Sequence, residues 1–103
     1  MLADLFRRHR DRLREVMQST VPVLVDFSAD WCGWCQEQLP ILEKIAQERP
    51  GIKVVEINVD NNPALAAQFN VDYIPRLMVF RNGQKVADAV GLQTEAQLLA
   101  MLG

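Results

Sequence analysis

Cys32 and Cys35 are the two cysteines of a 103-residue chain, and they stand three residues apart. Cys32-Gly33-Trp34-Cys35 falls just after a strand pattern and at the head of a helical one. On a first helical turn, two cysteines at this spacing close a disulfide without unfolding anything. Cys32 there meets free backbone N–H groups and the positive end of the helix dipole, and both stabilise a thiolate. Cys35, a turn deeper, is expected to be more buried and less acidic. Such a pair does thiol–disulfide exchange: one sulfur attacks and the other resolves.

Two other readings compete. A lone C-x-x-C is half a zinc or iron–sulfur site, but such sites want about four ligands. The chain has no third cysteine, and its one histidine, His9, falls on the apolar stripe of the first helical pattern. No metal is expected. Two inert core cysteines are the other reading, yet Trp31-Cys32-Gly33-Trp34-Cys35 crowds bulky aromatics into a loop, where a core rarely places them.

Periodicity supplies the elements that position the pair. Leu2, Leu5, Phe6, His9, Leu13, Val16 and Met17 predict a helix over residues 2–18. Val21 to Phe27 reads as a strand with Pro22 at its start, where no ladder donor is lost. A helix follows the cysteines to about Arg49; Pro40 is expected to kink it and Pro50-Gly51 to close it. Lys53 to Val59 is a second strand, and Asn62 is the expected N-cap of a short helix with Pro63 in first position. Arg76–Arg81 and Gln84–Val90 form a hairpin around Asn82-Gly83. Gly91 ends it, and Thr94 with Gln97 makes a capping box for a last helix carrying Leu98, Leu99 and Leu102.

The order α-β-α-β-α-β-β-α has no linker or repeat, so residues 1–103 read as one domain. Strands alternating with helices need parallel crossovers, and the hairpin adds an antiparallel strand. The expected fold is α/β: a three-layer α/β/α sandwich around a central mixed sheet of four or five strands.

Half of the chain is hydrophobic and 23% is charged, which suits a globule with a core and excludes disorder. No stretch approaches the ~20 apolar residues of a membrane-spanning helix. The net charge of −2 gives no general basic field for nucleic acid. Residues 1–15 carry five arginines against Asp4, Asp11 and Glu15. A basic amphipathic helix can lie on membranes or nucleic acid, but interspersed acids favour a solvated face of a docked helix. Met1 to Arg8 lacks an apolar leader, which points to the cytoplasm; an exported chain trimmed of its leader would read the same.

The stretch Val25-Asp26-Phe27-Ser28-Ala29-Asp30-Trp31-Cys32-Gly33-Trp34-Cys35 resembles the thioredoxin family. So do Pro40, Asn58-Val59-Asp60, Ile74-Pro75, Phe80-Arg81-Asn82-Gly83 and Val90-Gly91, in register from about residue 21 to the end. The resemblance implies that Cys32 is the nucleophile and Cys35 the resolving thiol. It implies a cis bond at Pro75 beside the disulfide, with the Ile74 backbone at a groove edge where a substrate segment can pair. Trp31, Gly33, Trp34, Val59, Ile74, Gly91 and Leu92 would form the apolar docking surface. The function implied is reduction of protein disulfides by a monomer recycled by a thioredoxin-reductase-type, flavin-dependent NADPH enzyme. It needs no cofactor beyond the redox-active disulfide. Asp26 matches the family's buried carboxylate beneath the second cysteine. A carboxylate in an apolar strand is expensive unless neutralised, so its pKa is expected to rise, making it a candidate to exchange the Cys35 proton. A side chain turned out at the strand's end is the alternative.

Four departures from that pattern carry expectations. Trp34 stands where proline is usual, freeing a backbone N–H near the Cys32 sulfur and predicting a less reducing couple. Glu56 replaces a usual lysine and either crowds Asp26 or sits exposed on the other strand face. Arg76 replaces a small threonine; it either reaches toward Asp26 or Glu56 or snorkels outward to meet acidic substrates. The N-terminal helix replaces an edge strand, leaving an edge to be covered. Two alternatives to the reductase follow: an oxidase or isomerase of higher potential, and a non-catalytic module that binds partners through Trp31 and Trp34.

Overall fold

The computed structural model describes the backbone of residues 6–8 and the whole of residues 13–103. In chain order the elements are β1 (Phe6–Arg8), α1 (Leu13–Gln18), β2 (Val23–Ser28), α2 (Gly33–Glu48), β3 (Lys53–Asn58), α3 (Pro63–Gln68), β4 (Arg76–Arg81), β5 (Gln84–Val90) and α4 (Glu95–Leu102). The sheet has five strands in the order β1-β3-β2-β4-β5. The first three are mutually parallel; β4 runs antiparallel to β2, and β5 antiparallel to β4.

The N-terminus departs from the helix expected over residues 2–18. Residues 6–8 are a strand paired with Val54–Glu56 of β3, and among the described residues the helix spans Leu13–Gln18. Three residues are too few for periodicity to tell helix from strand, and the open edge of β3 offers backbone partners that an N-terminal segment can take. Leu2, Leu5 and His9 lie outside the described residues.

Alternation along the strands divides the interior. Leu24, Val54, Leu77 and Val79 meet Leu42 and Ile45 of α2 and Leu98 and Leu102 of α4. Val25, Phe27, Val55, Ile57, Met78 and Phe80 meet Val16 of α1, with Leu65 and Phe69 packed against them. Both faces of the sheet are therefore covered, and every β2 side chain is buried. Phe69 closes the second layer with ring contacts to Phe27 at 6.0 Å and Phe80 at 5.6 Å.

The hairpin takes positive φ at both Asn82 (52°) and Gly83 (78°), the demand of a tight two-residue turn between twisted strands. The α4 capping box is complete: Thr94 Oγ1 accepts from the Gln97 N–H, and Gln97 Oε1 accepts from the Thr94 N–H. Asn62 occupies the N-cap of α3 but makes no side-chain cap bond there. Its amide instead donates to Asn58 O at 3.0 Å. Asn58 Oδ1 accepts the N–H groups of Asp60 and Asn61, so a tight polar turn after β3 claims the side chain that capping would have used.

Candidate active site

β2 delivers the chain to the C-terminal edge of the sheet, and a turn closed by the Cys32 N–H on Ala29 O starts α2. Cys32 is the N-cap of that helix, and its Sγ accepts the Cys35 N–H at 3.2 Å. The two cysteines are joined in a disulfide, with their Cα atoms 5.2 Å apart. Cys32 is 6% exposed and Cys35 is fully buried, so the reachable sulfur is the one at the helix start. Ala29 packs with both, and Val59 and Ile74 close over them.

The Ile74–Pro75 peptide is cis. Pro75 is buried, and its carbonyl accepts the Gly91 N–H at 2.8 Å, which ties the end of β5 to the start of β4. An open groove of about 370 Å³ runs beside the disulfide, lined by Trp31, Cys32, Gly33, Trp34, Asp72, Tyr73 and Ile74. Gly91 and Leu92 stand outside that lining, in the loop after β5. Trp31 is largely in solvent yet anchored, its indole N–H donating to Asp60 Oδ2 at 2.8 Å.

Asp26 is fully buried in the middle of β2. The strand-end alternative is thereby overturned. Its face is that of Leu24, the face α2 covers. Glu56 is its register partner on the parallel neighbour β3, so the two carboxyls share that face. Glu56 is half-buried and accepts from Ser28 Oγ at 2.7 Å; the backbone register on its other side sets Arg8 beside it. Arg76 does not reach this pair. It is the partner of Phe27 on the opposite face, and it forms a two-pronged bond to Asp88, through Nε at 2.6 Å and Nη2 at 3.0 Å. That bond holds the Asp88 carboxyl below its usual range and raises the guanidinium, whereas partial burial opposes both shifts. The open choice for Arg76 thus resolves to neither option: β5 supplies the acid.

A family model named Thioredoxin matches residues 8–103. The chain belongs to the thioredoxin family. It is a thiol–disulfide oxidoreductase, and reduction of protein disulfides is that family's ordinary activity. Among relatives, Thioredoxin 1 of Nostoc sp. is 52% identical over 79 residues, covering 76% of this chain and 74% of that one. A thioredoxin of Rickettsia felis is 41% identical over 87 residues, covering 84% and 83%. Among solved structures, a mutant thioredoxin from Halobacterium salinarum superposes with a TM-score of 0.84 at 39% identity, covering 95% of this chain and 86% of that one.

Three residues of this thioredoxin site were passed over in the sequence. Asp72 and Tyr73 line the groove, and the signal was an aromatic directly before Ile74-Pro75. Gln38 is fully buried in α2, where its amide donates to Gln93 O at 3.0 Å and accepts the Gln93 N–H at 2.8 Å. Its place on the stripe Cys35, Gln38, Leu42, Ile45 marked it as a polar group turned inward. With these two bonds satisfied it fastens the loop after β5 to the helix that carries the cysteines.

Proposed function

We propose that this thioredoxin-family chain, acting as one domain over residues 1–103 and as a monomer, reduces protein disulfides through a Cys32/Cys35 cycle. The Cys32 thiolate attacks one sulfur of the substrate disulfide, forming a mixed disulfide and expelling the other substrate sulfur as a thiolate. Deprotonated Cys35 then attacks Cys32 Sγ, releasing the second substrate thiol. Two electrons pass to the substrate, and the enzyme is left with its disulfide. The observation that carries this reading is Cys32 at the N-cap, with the Cys35 N–H aimed at its sulfur. A helix start stabilises negative charge at that atom, and the slight exposure of Cys32 against none for Cys35 divides attacker from resolver.

Asp26 takes the proton of Cys35 in this scheme, with Glu56 beside it setting the local charge. Trp31, Gly33, Trp34, Ile74 and Pro75 seat the substrate, and Gly91 and Leu92 extend that surface through the bond to Pro75. Reducing equivalents come from a flavin-dependent NADPH reductase. The working compartment in this proposal is the cytoplasm, where thiols are kept reduced and a disulfide reductase has its electron supply. No metal enters the scheme, and among the described residues no helix is long and apolar enough to cross a membrane.

Insulin reduction tests the reading. The reduced chain is expected to precipitate insulin B chain, and Cys32→Ser is expected to lose that activity while keeping its fold by circular dichroism. Inactivity of both would leave a binding module.

A further inference from the structure

The groove beside the disulfide is lined by one carboxylate, Asp72, together with the aromatic rings of Trp31, Trp34 and Tyr73. Asp72 is 93% exposed and forms a long ion pair with Arg76, Nη1 to Oδ1 at 3.8 Å, which leaves most of its carboxylate facing solvent. The shorter bonds of Arg76 go to Asp88 and to Asn70 O. Trp34 and Tyr73 leave 59% and 62% of their surface in solvent, an exposure that invites a ligand rather than a core. Aromatic faces attract cations, and a carboxylate next to Tyr73 adds a charge of opposite sign to the cation.

We infer that the groove selects protein disulfides whose attacked cysteine is flanked by lysine or arginine, that cation lying over Tyr73 or Trp34 with its charge toward Asp72. The inference rests on the reductase reading and names its preferred substrate class. Uncharged segments still dock on the rings, so the preference is graded. Acidic segments meet Asp72 as a like charge and are disfavoured.

The test uses the full chain, reduced and freed of reductant, with three disulfide-bonded peptides that differ only in the residue after the cysteine: Lys, Leu or Glu. Second-order rate constants are read from thiol release. Lys is expected to exceed Glu by about three- to tenfold at low ionic strength, with Leu between them. That ratio is expected to shrink at ~0.5 M salt and to fall by about half or more in Asp72→Asn, which alters an exposed side chain and spares the fold. Tyr73→Ala is expected to slow the Lys peptide more than the Leu peptide. A wild-type ratio below about threefold, or one that Asp72→Asn leaves unchanged, overturns the selectivity. The Leu peptide separates the two failures. If it too is reduced no faster than by Cys32→Ser, the reductase reading falls and the selectivity with it.

Discussion

Trp34 sits on the first turn of α2 between the two sulfurs, and it contributes a backbone N–H that proline would lack. Donors at a helix start favour the Cys32 thiolate and therefore the reduced form of the couple. A stabilised reduced form makes a weaker reductant. The wild-type potential is expected to lie above ~−270 mV, and Trp34→Pro to lower it by about 30 mV, a tenfold change in the exchange constant. Equilibration with glutathione measures both. A wild-type value at or below ~−270 mV, or a Trp34→Pro couple that does not become more reducing, would refute the argument. If the potential rises far enough, the same sulfurs run the cycle backwards as an oxidant, so this one measurement also decides the working direction.

Strands β4 and β5 are cross-linked by Arg76 and Asp88, with Lys85 also on Asp88 at 2.7 Å. A quarter of the Asp88 side chain remains in solvent, so screening keeps the contribution small, at about 1 kcal/mol. Because the folded pKa of Asp88 is depressed, that stability is fully present above the ordinary carboxylate range. It is lost as pH falls through the folded value. Asp88→Asn is accordingly expected to lose about 1 kcal/mol against urea at neutral pH, and the gap to wild type to close below about pH 3. A gap that stays constant with pH would show that the ion pair contributes nothing. The hairpin itself was legible from Asn82-Gly83, whereas the Arg76–Asp88 pair was not. Strand register across a turn decides which charges meet, and the residue types alone left Arg76 with several acids to choose from.

Across the whole molecule the two layers are keyed to one another at the hairpin tip. A Cβ on Gly83 would stand 2.8 Å from Met17 O, at the end of α1, and φ there is +78°. Gly83→Ala is expected to cost about 1–3 kcal/mol, through backbone strain and that contact together. Urea unfolding checks it: the midpoint should fall with the slope unchanged, and insulin reduction by the folded fraction should persist. An unmoved midpoint would mean that the tip is free to shift. The turn motif predicted a glycine at this position, but its close approach to α1 joins residues 66 apart and is a property of the assembled fold.

The redox pair, its helix, the hairpin and the α4 capping box were determined by local chemistry: spacing, turn residues and caps act within a few positions of themselves. Periodicity likewise placed β2 and β3, but both faces of β2 are buried and the directions of Asp26 and Glu56 were left open. The tertiary structure alone decided what met across the chain. It set β1 on the free edge of β3 in place of a long helix, and Glu56 beside Asp26. It gave Arg76 to Asp88, Gln38 to Gln93, and Asp72 with Tyr73 to the groove. Each of these depends on register or packing between segments distant in sequence, where residue type limits the partners and geometry chooses one.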